Sequence, residues 1–183
     1  MVTKQPQSLK KLTTFQQEGS INSLSIFSNE TSLRAFILSD TPYYLLGKGS
    51  NSIINPNSSV QQIIQISSDF YPITVVDNVL TVSAGITVNN LMKACIEHGL
   101  SGLEFVAGVP ASVGGMVAMN FGCWGIEIAN LIDSVRIMDE TGTIFSLPAE
   151  KLDYSYRHSI FQERPWIILS ASFVLQKELS TNI

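Results

Sequence analysis

Residues 105–125 read FVAGVPASVGGMVAMNFGCWG, a segment with five glycines and no Asp, Glu, Lys, Arg or His. Glycine at this density costs conformational entropy on folding, so a folded segment of this kind usually allows close approach of the backbone to another element or to a ligand. Two interpretations are open. The segment packs core loops tightly against one another, or it covers a flat cofactor while backbone amides of Ser112, Gly114 and Gly115 face a diphosphate.

The uncharged stretch continues to Ile126 and is nominally long enough to cross a bilayer. Pro110 and the glycines would weaken a spanning helix, and Ser112 and Asn120 add polar groups inside it. The amino-terminal residues MVTKQPQSLKKL lack the apolar core of a signal peptide. We therefore expect no membrane span and a cytoplasmic location.

The composition of the 183 residues excludes several classes of protein. The chain is 45% hydrophobic and 14% charged, and its length suits one compact domain or two small ones. A formal net charge of -4 gives no general electrostatic basis for binding nucleic acid. Its two cysteines, Cys95 and Cys123, lack CxxC spacing, so neither a zinc site nor a disulfide scaffold is expected and no metal site is predicted.

The first glycine loop along the chain, LGKGSNS, covers residues 46–52 and follows a short apolar run, and residues 105–125 form the second glycine segment. Glycines at alternate positions, Gly47 and Gly49, allow consecutive N–H groups to converge on an anion, and Ser50, Asn51 and Ser52 can add side-chain hydrogen bonds. The segment is neither a P-loop nor a GxGxxG fingerprint. A phosphate cradle and an ordinary tight turn after a strand remain equally open.

A third segment, YSYRHSIF at residues 154–161, brings together phenol, hydroxyl, guanidinium and imidazole groups in a chain that has few charged residues. The Arg157 guanidinium suits bidentate binding of a carboxylate or phosphate. Taken alone, such a cluster is more typical of a solvated turn with a surface salt bridge. His98 and His158 have no partner arrangement visible in the sequence, so structural roles are favoured over catalytic ones.

The hydrophobic pattern changes along the chain and predicts two parts with a boundary near residues 67–72. The first, residues 1–70, is expected to form a small β-α-β unit with the glycine loop after its second strand. The second, residues 71–183, is expected to be mixed and mostly antiparallel. Its predicted elements are hairpins across 77–78 and 140–142, a helix capped by Thr87 and a largely buried final strand at 166–174.

The order and spacing of four segments carry a resemblance to a known family. These are LGKGSNSII, SAGITVNNLMKACIEHGLSGLE, FVAGVPASVGGMVAMNFGCWG and YRHSIF. Together they resemble the UDP-N-acetylenolpyruvoylglucosamine reductase family, also called UDP-N-acetylmuramate dehydrogenase. Its members are bacterial flavoproteins with a vanillyl-alcohol-oxidase or PCMH-type FAD-binding domain. The resemblance implies an α+β fold in which FAD lies between two α+β subdomains.

The resemblance also implies a cofactor and a reaction. In the family a hydride passes from NADPH to FAD and then to the enolpyruvyl group of a nucleotide-sugar precursor of peptidoglycan, with the tyrosine and arginine of YRxSIF on the substrate side. These map onto Tyr156 and Arg157. No residue in the sequence indicates a covalent link to the flavin. The implied non-covalent FAD contacts are Gly47, Lys48, Gly49, Ser50, Asn51, Ser52, Ala111, Ser112, Gly114, Gly115, Asn120, Gly122 and Gly125.

The sequence departs from the family's pattern in three places. Lys48 stands inside the first glycine loop, and Cys123-Trp124 replace a small residue and a tyrosine. Family members continue into a third domain that supplies a serine proton donor and a late glutamate, whereas this sequence stops at Ile183. We therefore expect a flavoprotein that is catalytically incomplete alone. The alternatives are an enzyme completed by a partner chain and a cofactor-free interaction module whose apolar face is covered by a protein partner or by homo-oligomerisation.

Overall fold

A computed structural model describes residues 2–3 and 6–177, with side chains from residue 6 onward. The strands are β1 Val2–Thr3, β2 Gln7–Ser8, β3 Ser20–Ile21, β4 Ser23–Phe27, β5 Tyr44–Leu45, β6 Gln62–Ile66, β7 Thr74–Val76, β8 Val79–Ser83, β9 Leu100–Ser101, β10 Gly122–Cys123, β11 Ile126–Glu127, β12 Ile132–Met138, β13 Ile144–Pro148, β14 Ile167–Val174 and β15 Gln176–Lys177. The helices are α1 Leu9–Leu12, α2 Glu30–Ile37, α3 Val88–Glu97 and α4 Val113–Ala118, with short 3-10 turns at 104–106, 128–130, 149–151 and 160–162.

The first sheet has the strand order β1-β4-β6-β5. Helix α2 of this part begins after Asn29, whose side chain caps it by accepting a hydrogen bond from the Ser32 N–H at 2.9 Å. Strands β4, β5 and β6 are all parallel, but β5 pairs with β6 rather than with β4, because β6 lies between them. The β-α-β prediction therefore has the right elements but misses this insertion. Strand β6 takes the central place because its Ile63 and Ile64 are fully buried, whereas Leu45 of β5 is exposed.

The second sheet is antiparallel throughout, with the order β13-β12-β14-β8-β7. Strand β14 occupies the centre, and its residues are buried on both faces from Ile167 to Ala171. Both predicted hairpins form, the first turning at Asp77 with φ of 55°. Thr87 caps α3 through its hydroxyl oxygen, and Gly99 ends that helix with φ of 60°.

Three groups of buried side chains hold these layers together. The largest lies between the second sheet and helices α3 and α4. A second joins the two sheets, because Phe27 and Ile64 of the first contact Met138 and Leu169 of the second. The third packs α1 onto the first sheet. The uncharged segment is divided among a 3-10 turn, α4 and the β10–β11 hairpin, and no helix in the described ranges is long and apolar enough to span a membrane.

A polar triad also connects the two sheets at their surface. The Tyr71 hydroxyl donates to the Glu30 carboxylate on α2, and Arg136 on β12 donates to the Tyr71 oxygen at 3.1 Å and to Glu30 at 3.3 Å. Burial, and then the hydrogen bond to Glu30, raise the pKa of Tyr71 to about 12. The neutral phenol is therefore the form that stabilises this connection.

The triad predicts a loss of stability in alkali. A pKa raised by folding gives stability that is fully present below the ordinary value of 10.0 and is lost as the pH rises through about 12. We expect the free energy of unfolding to fall more steeply over this pH range in the unmodified protein than in Tyr71→Phe. Urea unfolding at a series of pH values measures both slopes.

The control for this test is Tyr156→Phe, because the Tyr156 side chain is 80% exposed. It should keep the alkaline slope of the unmodified protein. Equal slopes in Tyr71→Phe and the unmodified protein would show that the triad does not link folding to the ionisation of Tyr71.

Candidate functional site

The first glycine loop follows strand β5 and is fixed at its start by neighbouring backbone. The Leu46 N–H donates to the Ile64 carbonyl at 3.0 Å, and the Gln65 side chain donates to the Gly47 carbonyl at 2.9 Å. Gly49 is buried with φ of 69°, and a methyl group there would lie under 3.0 Å from the Leu12 carbonyl oxygen. Both its conformation and its surroundings therefore require glycine.

This loop offers a row of unpaired hydrogen-bond donors. Within the described residues, the backbone N–H groups of residues 47–51 meet no acceptor. The side chains of Lys48, Ser50, Asn51 and Ser52 likewise form no hydrogen bond or ion pair in that part of the chain. Consecutive free amides beside a lysine form a concave, positively polarised surface, which is suited to an anion such as a phosphate.

The second glycine segment lies directly against this loop. A methyl group on Gly47 would come under 3.0 Å from the Ser112 hydroxyl oxygen and 4.0 Å from the Gly115 Cα. Because the φ of Gly47 is not in the left-handed region, this position needs glycine for space alone. Ser112 is buried and accepts the Gly115 N–H at 3.4 Å. No acceptor for its hydroxyl hydrogen lies among the described residues, so the hydroxyl can donate to a bound group.

Two residues of the second segment serve packing instead. The Gly114 N–H already donates to the Ala84 carbonyl at 2.8 Å, and a methyl group on Gly114 would lie 3.0 Å from the Ala84 Cβ. The Ala111 carbonyl accepts the Val88 N–H at 3.0 Å. The amide of Gly114 is therefore not free for a diphosphate, and both residues hold α4 against the end of β8 and the start of α3.

Asn120 is fully buried, with φ of 41°, and its side-chain amide is saturated within the protein. Its Nδ2 donates to Glu127 Oε2 at 2.8 Å and to the Ser155 carbonyl at 2.9 Å, while its Oδ1 accepts the Ala129 N–H at 3.1 Å. The side chain has no donor left for a flavin. It joins the β10–β11 hairpin to the turn at residues 155–158.

The β10–β11 hairpin turns through Trp124 and Gly125, with φ of 56° and 81°. Two positive φ values are typical of the tight hairpin turn that matches strand twist, and Gly125 satisfies this without strain. Trp124 projects outward and is 91% exposed. At Gly122 a methyl group would lie 2.8 Å from the Glu127 side chain, so this glycine is required by pairing within the hairpin.

Arg157 lies on a two-residue turn closed by backbone hydrogen bonds between Ser155 and His158. Its Nη2 donates to the Gly122 carbonyl at 2.6 Å, and its guanidinium lies 5.5 Å from the centre of the Phe121 ring. No carboxylate pairs with Arg157 in the described part of the chain. The surface salt bridge considered for this segment is thus not made by the arginine, which keeps donors free beside the second glycine segment.

The structure adds positions that sequence reasoning missed. The Gln17 side chain accepts the Ile54 N–H at 2.9 Å and donates to the Ile54 carbonyl, while the Thr14 N–H donates to the Gly49 carbonyl at 2.9 Å. A methyl group on Gly85 would meet the Ile66 carbonyl oxygen under 3.0 Å. No local pattern marks Gln17, and Gly85 was visible only as part of the resemblance.

Comparison with known proteins assigns the family. Residues 31–148 match the family described as FAD binding domain. The chain belongs to this family. The predicted FAD cofactor and α+β FAD-binding fold are confirmed by this match and by the structural similarity.

Several relatives share one name. The UDP-N-acetylenolpyruvoylglucosamine reductases of Clostridioides difficile and Lactobacillus helveticus are 36% and 37% identical to this chain over 74% and 73% of its length, and 45% of each relative is covered. The crystal structure of the reductase MurB from Thermus caldophilus matches with a TM-score of 0.81 and 27% identity, covering 98% of this chain and 65% of that protein. The chain thus spans about half the length of the curated relatives it matches. The predicted resemblance is confirmed.

The contact between the two glycine segments predicts a coupled pair of substitutions. Gly47→Ala should destabilise the protein by about 1–3 kcal/mol, since the new methyl group overlaps the Ser112 hydroxyl. Adding Ser112→Ala should restore part of that loss. Once the hydroxyl is removed, the Ser112 Cβ is the nearest atom, and it would lie 3.7 Å from the new methyl group, which is ordinary van der Waals contact. Urea unfolding of both single variants and the double variant measures the interaction. Strict additivity would show that the two segments do not contact each other.

Proposed function

We propose that this FAD-binding domain holds the diphosphate of FAD between the loop of residues 47–52 and Ser112, without a covalent link. The observation that carries the proposal is the row of unpaired N–H groups at residues 47–51, in a loop whose Gly47 packs against Ser112 of the second glycine segment. Free donors at such a junction suit a ligand with several negatively charged oxygens. A cofactor-free module would gain nothing from them.

Within this site the residues divide into three groups. The amides of residues 47–51, the hydroxyls of Ser50, Ser52 and Ser112, and the Lys48 ammonium would contact the phosphates. Ala111, Gly114, Asn120 and Gly122 position those groups, since their own polar atoms are paired inside the protein or their Cα lies against backbone. We keep Gly115 and Gly125 as proposed flavin-side contacts, because no side chain of their own blocks access there.

FAD titration tests this assignment. Purified protein should bind one FAD with a shift of the flavin's visible spectrum, and acid denaturation should release the flavin intact. Gly47→Ala should weaken binding at least about tenfold, an effect equal to about 1.4 kcal/mol. The control Gly142→Ala alters a glycine on the β12–β13 turn beside Arg34, away from the site, and should bind FAD as the unmodified protein does. A protein that stays colourless with excess FAD, or equal affinity in Gly47→Ala, would refute the assignment.

We further propose that the chain forms the FAD-bearing part of a reductase that acts on UDP-N-acetylenolpyruvoylglucosamine with NADPH as reductant, in the cytoplasm. The support is the name shared by the relatives and the geometry of Arg157. Bound FAD would supply the acceptance and donation of hydride. The Arg157 guanidinium would bind the substrate carboxylate and stabilise negative charge that develops beside it. Its bond to the Gly122 carbonyl fixes the direction of the remaining donors.

Each of the three motif segments also exposes one large apolar side chain. Ile53, Trp124 and Tyr156 are 83%, 91% and 80% exposed. Exposed large hydrophobic residues beside a binding site are typical of surfaces that another group covers. We propose that FAD, the substrate and a further polypeptide segment or partner chain cover them, with Tyr156 lying on the substrate side.

Substrate titration of the FAD-loaded protein tests the role of Arg157. Adding UDP-N-acetylenolpyruvoylglucosamine should perturb the flavin spectrum, and Arg157→Ala should weaken this binding at least about tenfold because a charge-assisted hydrogen bond is lost. Arg164→Ala is the matched control, since Arg164 is exposed and lies over Trp166. FAD affinity should change less than about threefold in either variant, well under 1.4 kcal/mol. Equal substrate affinity in Arg157→Ala and Arg164→Ala would contradict the proposed role.

A further inference from the structure

Three metal-ligating side chains converge outside the FAD site. His158 Nε2 lies 3.3 Å from Glu163 Oε1 and 3.9 Å from Asp153 Oδ2, and the three ligand atoms all lie within 4.8 Å of one another. An ion such as Zn²⁺ takes nitrogen and oxygen ligands at about 2.1 Å, which places neighbouring ligands of a tetrahedron about 3.4 Å apart. The spacing between His158 and Glu163 matches this value and that between His158 and Asp153 is about 0.5 Å longer, so side-chain rotations would be needed to complete the geometry.

Backbone hydrogen bonds hold the chain at or next to each of the three ligand residues. Asp153 adopts φ of 48° directly after Leu152, whose carbonyl accepts the Ile160 N–H at 2.9 Å. His158 is paired with Ser155 across the two-residue turn. The Glu163 N–H donates to the Ile160 carbonyl at 3.1 Å. The three ligand residues therefore come from points of the chain whose backbone is held by hydrogen bonds, and only side-chain freedom would be lost on binding an ion.

The local charge also favours a cation. Neither Asp153 nor Glu163 pairs with a lysine or arginine in the part of the chain that the structure describes. Two carboxylates thus share one imidazole as their partner. A divalent ion between them would compensate both negative charges while using the imidazole nitrogen as a ligand, and this mixed set of one nitrogen and two oxygens suits transition metals rather than Ca²⁺ or Mg²⁺.

We propose that Asp153, His158 and Glu163 bind one divalent transition-metal ion of the Zn²⁺ type. Water completes the coordination, since Asp153 is exposed. The site does not depend on the proposed FAD or substrate chemistry. Its ligands flank Tyr156 and Arg157 on both sides, so a bound ion would brace the turn that presents the Arg157 guanidinium.

Competition for Zn²⁺ against a chromophoric chelator measures the site in the full chain. One equivalent should bind. His158→Ala and Glu163→Gln should each weaken that binding at least about tenfold, because loss of a metal ligand lowers affinity at least as much as loss of a residue that only orients a ligand. His98→Ala and Glu150→Gln are the matched controls, as both residues are exposed and lie outside the cluster. Both controls should keep the affinity of the unmodified protein.

A second readout separates metal binding from misfolding. Zn²⁺ should raise the thermal unfolding midpoint of the unmodified protein and of His98→Ala, but not that of Glu163→Gln, a substitution that conserves shape. Absence of a stoichiometric equivalent would overturn the proposal. So would unchanged Zn²⁺ affinity in His158→Ala and Glu163→Gln, since the ion would then lie elsewhere, for example on the half-buried Cys123 thiol.

Discussion

The close approach of Gly47 to Ser112 is the constraint on which the candidate site depends. It brings together the loop that follows β5 of the first sheet and the start of α4, which packs against the second sheet, and it exists only because Gly47 has no Cβ. A side chain at Gly47 would separate the free amides of the first loop from the buried hydroxyl of the second. Gly49 adds a requirement of its own, because it is buried against the Leu12 carbonyl with a left-handed backbone. The absence of side chains at Gly47 and Gly49 therefore allows the loop to hold its N–H donors in place.

The remainder of the fold keeps these two segments in register. Side chains from both sheets share one buried group, in which Phe27 and Ile64 meet Met138 and Leu169. Apolar contact of this kind sets the distance between the sheets but is weakly directional. The triad of Tyr71, Glu30 and Arg136 adds direction at the surface, since each of its hydrogen bonds crosses between parts of the chain far apart in sequence.

The sequence predicted the local elements well, because their signals are local. Asn29 and Thr87 cap the expected helices, and Asp77 turns the expected hairpin. It missed the insertion of β6 between β4 and β5, since pairing of parallel strands has no short-range signature. The sequence also does not reveal that the Gly114 N–H donates to the Ala84 carbonyl, or that the Asn120 side chain donates to Glu127 and Ser155. Which partner satisfies a buried polar group is a tertiary property that residue type alone does not reveal.

Helix α4 lies between the two parts of the candidate site, the Ser112 end near the first glycine loop and the Arg157 end near Gly122. Ser112 stands at its start beside the loop of residues 46–52, and the carbonyl of its last residue, Ala118, accepts the Ser159 hydroxyl at 2.6 Å. Four residues further on, in β10, the Gly122 carbonyl accepts the Arg157 guanidinium at 2.6 Å. Six helical residues rise about 9 Å, so the two ends are held at a fixed separation by backbone hydrogen bonds. FAD likewise joins an anionic diphosphate to a redox ring through a linker. If Ser112 binds the phosphates and Arg157 the substrate, as proposed, this short helix would give both parts of the cofactor a common rigid reference. The apolar character of α4 follows from packing Val113, Met116 and Val117 into the main core.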